Sequence, residues 1–104
     1  MSRADAERLG DIHAAIARCM AYRDHLDSAE LGEMAYDAIL RNLAVIGEAV
    51  KALPDDFKRE HSDTPWPSIA GLRHVVVHEY FRVNPDMIRD IVDNQLAPLL
   101  DDID

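Results

Sequence analysis

The chain has 104 residues, of which 48% are hydrophobic, and a formal net charge of −9 at pH 7. The length predicts one small domain spanning residues 1–104, and the apolar content excludes an intrinsically disordered chain. The acidic balance argues against binding nucleic acid by overall charge, because non-specific affinity comes from Lys and Arg at phosphates.

Cysteine content and hydropathy bear on the compartment. The single Cys19 cannot form an internal disulfide, which is typical of a reducing compartment. Residues 1–5 carry no apolar run of the kind that a signal peptide needs, and no stretch reaches transmembrane length. We therefore expect a soluble, cytoplasmic protein that does not enter a membrane.

Two long helices are predicted in the first half of the chain. Ser2 and Asp5 are suited to start the first helix, since acidic residues are favourable in a first turn. Its apolar stripe has helical spacing: Leu9, Ile12, Ile16 and Met20. Ser28, with Glu30 and Glu33, predicts the start of a second helix that runs to about Leu53 before Pro54. Its apolar positions are Leu31, Ala35, Ile39, Leu43, Ile46, Val50 and Leu53.

The second half predicts a short element followed by two more helices. Residues 55–61 read as a short helix or turn, and residues 62–67 as a rigid connection. Pro67 or Ser68 then begins a third long helix, whose apolar residues include Ile69, Leu72 and Val76.

The last helix begins after Asn84, with Pro85 at its first position, and Pro98 is expected to bend or end it. Its apolar residues are Met87, Ile88, Ile91, Val92 and Leu96. Because no segment alternates with period two for long enough to make a strand, the predicted fold class is all-α. The architecture is an antiparallel four-helix bundle with a short additional helix.

The octapeptide Arg73–Tyr80 concentrates titratable side chains around three valines. On a helix of about 100° per residue, His74 and His78 share one face, and Arg73 and Tyr80 share another. Arg73 and His78 then lie roughly 140° apart. Either the helix loosens near His78, or a site that uses both residues is completed across a dimer.

The two histidines at i and i+4 invite a metal ion. Zinc needs at least a third ligand, and the metalloprotease motif would place Glu where this chain has Val75. No second pair of ligand type stands at metal spacing, so we assign no metal and no cofactor.

A histidine paired with an arginine favours a different chemistry. Metal-free RNA cleavage needs a base for the 2′-hydroxyl, an acid for the leaving oxygen, and a cation for the charge at phosphorus. His78 titrates near neutrality and can be base or acid, while Arg73 stays charged and can hold phosphate oxygens. One chain offers only one such pair of histidine and arginine. A symmetric dimer would bring two pairs together and so supply both an acid and a base.

These residues resemble the HEPN family in its HepT-like form. Its signature is an arginine, four to six intervening residues and a histidine, followed here by Tyr80. Nearly the whole chain takes part in the resemblance, through Asp37, Arg41, Ile46-Gly47-Glu48-Ala49, Pro65-Trp66, Ile69-Ala70-Gly71 and a closing helix with a late proline.

The resemblance implies a homodimeric, metal-independent endoribonuclease that is the toxin of a type VII-like toxin–antitoxin pair. Arg73 and His78 match the family's catalytic residues. The implied partner is an MNT-type nucleotidyltransferase antitoxin, which attaches AMP to the tyrosine that is Tyr80 here. A bulky anion beside Arg73 would block the phosphate site by charge and volume.

His74 departs from the family pattern, which often has asparagine after the arginine. Both residues form hydrogen bonds, but only histidine can also carry charge near neutral pH. His74 could orient the phosphate or act as a polar spacer. The acid and base roles therefore stay open between His74 and His78, and we favour His78.

Asp37, Arg41 and Glu48 form a polar line along the second helix and have two interpretations. They are either a solvated face with an i, i+4 Asp–Arg pair, or a supporting group in which Arg41 adds positive charge and the acids orient Arg73 or a histidine. Trp66 is interpreted as an anchor for the connection before the third helix. Gly47 and Gly71 are interpreted as permitting close helix approach.

Two other classes of function fit the same sequence. One is a non-catalytic HEPN module that serves as partner or substrate of a nucleotidyltransferase, which suits the strongly acidic surface. The other is a helical dimerisation domain without chemistry.

Overall fold

The computed structural model describes residues 2–103, and within that range the chain is helical with no strand. The prediction of an all-α bundle is confirmed. Four long helical stretches form the bundle, and one short helix (Asp55–Glu60) lies in the connection between the second and third. The α-helices are α1 (Arg3–Arg23), α2 (Gly32–Lys51), α3 (Asp55–Glu60), α4 (Trp66–Ala70), α5 (Leu72–His78), α6 (Pro85–Ile91) and α7 (Ala97–Ile103).

Helix α1 begins as predicted, because Ser2 and Asp5 form a reciprocal capping box. The Asp5 amide donates to Ser2 Oγ at 3.1 Å, and the Ser2 amide donates to the Asp5 carboxylate at 3.4 Å. The buried stripe differs from the predicted one, since Met20 is exposed and Cys19 is buried. The small residues Ala15 and Cys19 complete an i, i+3, i+4, i+7 face with Ile12 and Ile16, which turns Met20 outward.

Helix α2 begins at Gly32, four residues later than predicted. The Ser28 hydroxyl accepts from the amides of Glu30 and Leu31, so it closes a turn before the helix. A Cβ at Gly32 would lie 2.8 Å from the Leu26 carbonyl oxygen, so the tight entry into α2 requires glycine. Leu31, predicted as apolar core, is exposed in this turn.

Helix α2 is the central element of the bundle. It packs against α1, α4, α5 and α6. The remaining residues of its predicted apolar stripe are all buried. Lys51 ends the helix, and Leu53 is buried just beyond it.

The connection between α3 and α4 is held by side-chain hydrogen bonds. Trp66 Nε1 donates to the carbonyl oxygens of Lys58 at 3.1 Å and His61 at 3.0 Å, and its ring is buried. The buried Thr64 hydroxyl donates to the Asp102 carboxylate at 2.8 Å, which ties the connection to α7. Trp66 is the anchor that the sequence predicts.

The predicted third long helix is divided at Gly71 into α4 and α5. Backbone hydrogen bonds continue through the division, from the Gly71 amide to Pro67 and from the Val75 amide to Gly71. Gly71 has ψ near −9°, which departs from the α-helical value. Glycine adopts such a departure most easily because it has no Cβ. After α5 a single 3-10 turn follows at Tyr80–Arg82.

The last stretch confirms the predicted start and corrects its end. Asn84 Oδ1 accepts from the Met87 amide at 3.0 Å, and Pro85 occupies the first turn of α6. Pro98 neither ends nor breaks the helix, because a π-helical turn at Val92–Leu96 precedes it and α7 continues beyond it. Met87, predicted as core, is exposed.

Within residues 2–103, no helix combines the length and apolar character that crossing a bilayer requires.

Candidate functional site

The site is built where α2 and α5 come into close contact. A Cβ at Gly47 would lie 2.8 Å from the Arg73 amide nitrogen and 3.0 Å from the Ala70 carbonyl oxygen. Only glycine allows the two backbones this separation, so Gly47 has the close-approach role that the sequence predicts. Gly71 does not share that role, because the atoms nearest its missing side chain belong to Pro67 and Ser68 of its own segment.

The close contact sets Arg73 beside Glu48, the next residue after Gly47. Arg73 Nε and Glu48 Oε1 form an ion pair, and both side chains are about half exposed, at 52% and 57%. Such an exposed pair contributes little to folding stability because water and salt screen it. A phosphate can therefore compete for the guanidinium without disrupting the core.

His74 and His78 lie on one face of α5, with ring centres 4.4 Å apart. Both residues are exposed. Helix α5 ends at His78, and Glu79 leaves helical geometry at φ −115° and ψ 16°. Arg73 and His78 both lie within α5, so a loosened helix does not account for the angle between them, and the completion of the site across a dimer stays a prediction.

Tyr80 lies in the 3-10 turn that follows α5, with 46% of its surface exposed. Its ring packs edge-on against Phe81 at 5.3 Å between centres, and Phe81 is 97% exposed. Tyr80 also lines an open groove of about 690 Å³, together with Tyr36, Asp37, Glu33, Glu30 and Asn84 among others. A group attached to the phenol would have both solvent and this groove available to it.

Tyr36 is a residue that the sequence analysis missed. Its hydroxyl donates to the Val83 carbonyl oxygen at 3.0 Å and so holds the turn that carries Tyr80 against α2. Burial raises the pKa of Tyr36, with smaller contributions from Tyr80 and Asp37. Its phenol stays protonated as a donor. The sequence feature that could have predicted a role for Tyr36 is its position beside Asp37, at the edge of the apolar stripe of α2.

Asp37 and Arg41 are both exposed on α2. Across residues 2–103, no carboxylate lies within 4.0 Å of the Arg41 guanidinium, so the anticipated Asp37–Arg41 pair is not formed. Asp37 lines the same groove as Tyr80. Of the three residues in the predicted polar line, the structure brings Glu48 to Arg73, places Asp37 on the groove, and leaves Arg41 without an ion-pair partner among residues 2–103.

No cluster of three or more His, Cys, Asp or Glu residues is placed to hold a metal ion in the described part of the chain. Cys19 is buried, and burial raises the pKa of its thiol to about 12. It is a neutral apolar side chain of the core at physiological pH.

Known proteins similar to this chain are named as ribonucleases. This chain is 45% identical over 62 residues to a protein of Caldanaerobacter subterraneus subsp. tengcongensis named "Putative RNase". The match covers 60% of this chain and 55% of the relative. The chain is 48% identical over 59 residues to a "Putative RNase" of Methanocaldococcus jannaschii, covering 57% and 49%. A Thermococcus cleftensis protein named "Probable ribonuclease HepT" is 39% identical over 62 residues, covering 60% and 56%. The matched segment spans about half the length of each of these relatives.

The family comparison covers nearly all of the chain. No solved structure gives a significant match. The family described as "Ribonuclease HepT-like" matches residues 12–104, a range that includes α2, α5 and the whole of Arg73–Tyr80. The chain belongs to the HepT-like ribonuclease family.

Proposed function

We propose that this protein is a metal-independent endoribonuclease and the toxin of a type VII-like toxin–antitoxin pair, with Arg73 and His78 as its catalytic residues. The observation that carries the proposal is that Arg73 and His78 are both accessible to solvent on the same short helix. Arg73 is held at the contact with α2 and remains half exposed, and His78 is exposed at the end of the same short helix. The membership of the HepT-like ribonuclease family supports RNA as substrate.

The proposed chemistry assigns one role to each residue. His78 takes the proton of the 2′-hydroxyl or delivers a proton to the leaving 5′-oxygen, and Arg73 stabilises the charge that develops on the phosphate. The reaction needs a base for the 2′-hydroxyl and an acid for the leaving oxygen at the same time. One His78 side chain cannot take both roles at once. A homodimer that places two α5 helices at one cleft supplies an acid and a base.

The outward face of α5 suits such a dimer. Val77 lies between Arg73 and Tyr80 on that face and is 52% exposed, and Phe81 follows in the turn. Exposed apolar side chains beside a charged pair favour contact with a second copy of the chain.

Four further residues support the site in this proposal. Glu48 orients Arg73 through their ion pair, and Arg41, which has no ion pair within residues 2–103, adds positive charge to a protein whose net charge is unfavourable to RNA. His74, whose ring lies 4.4 Å from that of His78, contacts the phosphate beside it, and Asp37 lines the groove that Tyr80 also lines.

An RNA cleavage assay in EDTA tests the catalytic assignment. His78→Ala should lower the rate by about 10²–10⁴-fold, and Arg73→Ala by about 10²–10³-fold. His25→Ala and Arg59→Ala, two exposed residues on other elements, are the matched controls. Circular dichroism should show the same helical content in all variants. Undiminished cleavage by folded Arg73→Ala and His78→Ala would overturn the assignment.

Neutralisation by AMP transfer to Tyr80 completes the proposal. The exposed phenol can attack the α-phosphate of ATP held by an MNT-type nucleotidyltransferase, with pyrophosphate leaving and the phenolic proton passing to a base. The added phosphate places negative charge on the Arg73 side of α5 and competes with RNA there.

Intact-mass measurement after incubation with the transferase and Mg-ATP tests this step. The mass should rise by one or more adenylyl groups in the wild type and in Tyr22→Phe, and stay unchanged in Tyr80→Phe. Adenylyl groups mapped by peptide sequencing to another residue would contradict it.

A second candidate is a non-catalytic module that only presents Tyr80 to the transferase. The net charge of −9 and the acidic residues along the groove favour a basic protein partner over RNA. This candidate predicts adenylyl transfer to Tyr80 together with no RNA cleavage by the free wild type.

A further inference from the structure

The pair formed by His74 and His78 has a geometry that acid–base catalysis by His78 does not require. Their ring centres are 4.4 Å apart and their planes are tilted by 38°. Both side chains are exposed, and residues at i and i+4 project from the same side of the helix. A single histidine would satisfy the acid–base role of this helix.

The spacing matches what two imidazoles need to bind one metal ion. Zn–N bonds are about 2.0–2.1 Å long, so two nitrogens on a tetrahedral zinc lie roughly 3.3 Å apart. Since each nitrogen lies at the edge of its ring, rings with centres 4.4 Å apart can present nitrogens at that separation after small side-chain rotations.

Ligand chemistry selects the type of ion. Imidazole binds Zn²⁺, Ni²⁺ and Cu²⁺ well, whereas Mg²⁺ and Ca²⁺ prefer oxygen ligands. No third His, Cys, Asp or Glu completes a cluster in residues 2–103. The other coordination positions are therefore left to water, as in an open site and unlike a closed structural zinc site.

We propose that His74 and His78 form a surface site for a divalent transition-metal ion of the Zn²⁺ class, and that occupation of this site inhibits the protein. The metal is neither a structural element nor a cofactor. The inhibitory consequence rests on the proposed function, because it requires His78 to exchange protons with RNA. An imidazole nitrogen bound to a metal has its lone pair engaged and cannot accept a proton.

Calorimetric titration of the untagged full chain with ZnCl₂ tests binding independently of any activity. The wild type should bind, and both His74→Asn and His78→Asn should weaken binding by at least about tenfold, since each removes one of two ligands. His25→Asn, an exposed histidine outside α5, should bind like the wild type. MgCl₂ should give no binding at the same concentrations. Absence of zinc binding by the wild type, or binding by both α5 variants as tight as that of the wild type, would overturn the site.

Cleavage assays with added zinc test the consequence. Wild-type cleavage should fall as the site fills, along the same concentration curve as the calorimetry, and EDTA should restore it fully. Full activity with the site saturated would overturn the inhibitory role and leave the binding result standing. If the wild type cleaves no RNA with EDTA present, the proposed function fails, while the calorimetry still decides whether the metal site exists.

Discussion

Gly47 shows how far one residue controls the position of Arg73, the arginine that we propose is catalytic. The space for a side chain is already filled by the Arg73 amide at 2.8 Å and the Ala70 carbonyl at 3.0 Å. An added methyl group must push α5 away from α2, because its neighbours are backbone atoms that cannot rotate aside.

We predict that Gly47→Ala destabilises the protein by about 1–3 kcal/mol. It should also lower RNA cleavage, because the displacement acts on Arg73. Gly10→Ala is the matched control, since nothing lies within 4 Å of its Cβ position in α1. That change should stabilise the protein by roughly 0.5–1 kcal/mol, the helix preference of alanine over glycine. Urea unfolding measures both free energies of unfolding, and equal stability of Gly47→Ala and the wild type would show that α2 and α5 leave room for a methyl group at Gly47.

At the scale of elements, one hydrogen bond couples α2 to the turn that carries Tyr80. Tyr36 donates to the Val83 carbonyl at the end of that turn, at 3.0 Å. We predict that Tyr36→Phe costs about 0.5–1.5 kcal/mol and increases amide hydrogen exchange in residues 79–84. Tyr22→Phe is the control, because its hydroxyl has no hydrogen bond within residues 2–103. Unchanged exchange in residues 79–84 of Tyr36→Phe would argue that the turn is held by other contacts.

Helix capping and apolar spacing allowed most element boundaries to be predicted from the sequence. Ser2, Asn84 and Pro85 have local roles that a short window reveals, and the α2 stripe is regular enough to mark its buried face. The start of α2 at Gly32 could not be predicted in this way, since it depends on the Leu26 carbonyl approaching to 2.8 Å of the missing Cβ. The π turn before Pro98, beyond which the helix continues, likewise depends on a change of hydrogen-bond register that periodicity does not encode.

The candidate site was predictable in its residue types and less so in its contacts. Arg73, His78 and Tyr80 stand out as titratable groups around an apolar seam. The Arg73–Glu48 ion pair depends on two helices meeting at Gly47, and the role of Tyr36 depends on the path of the chain after α5. Contacts between elements distant in sequence carry no local pattern.

At the scale of the whole molecule, an ion pair between the first and last stretches bears on acid stability. Arg23 donates to both carboxylate oxygens of Asp93, at 2.8 and 2.7 Å, and joins α1 to the π-helical turn. The hydrogen bond from Arg23 holds the pKa of Asp93 below its ordinary value. A carboxyl group whose pKa is lower in the folded than in the unfolded protein stabilises the fold at pH values above its unfolded-state pKa. That stabilisation is lost as the pH falls through the folded-state pKa.

We therefore predict that Asp93→Asn is less stable than the wild type at pH 7, and that the gap closes below the ordinary aspartate pKa of about 3.9. Asp101→Asn is the control, since Asp101 has no ion pair in residues 2–103. Thermal unfolding from pH 7 to pH 2 measures the difference. A gap between Asp93→Asn and the wild type that persists undiminished at pH 2 would rule out this linkage.

The chemistry of the RNA ends tests the central claim most directly. Attack by the 2′-hydroxyl, with His78 as acid or base and Arg73 at the phosphate, must leave a 2′,3′-cyclic phosphate and a 5′-hydroxyl. Mass spectrometry of a single-stranded RNA incubated in EDTA with the untagged wild type should find those ends, and His78→Ala should form them about 10²–10⁴ times more slowly. Ends with 3′-hydroxyl and 5′-phosphate groups, or equal product from His78→Ala, would contradict the proposed mechanism.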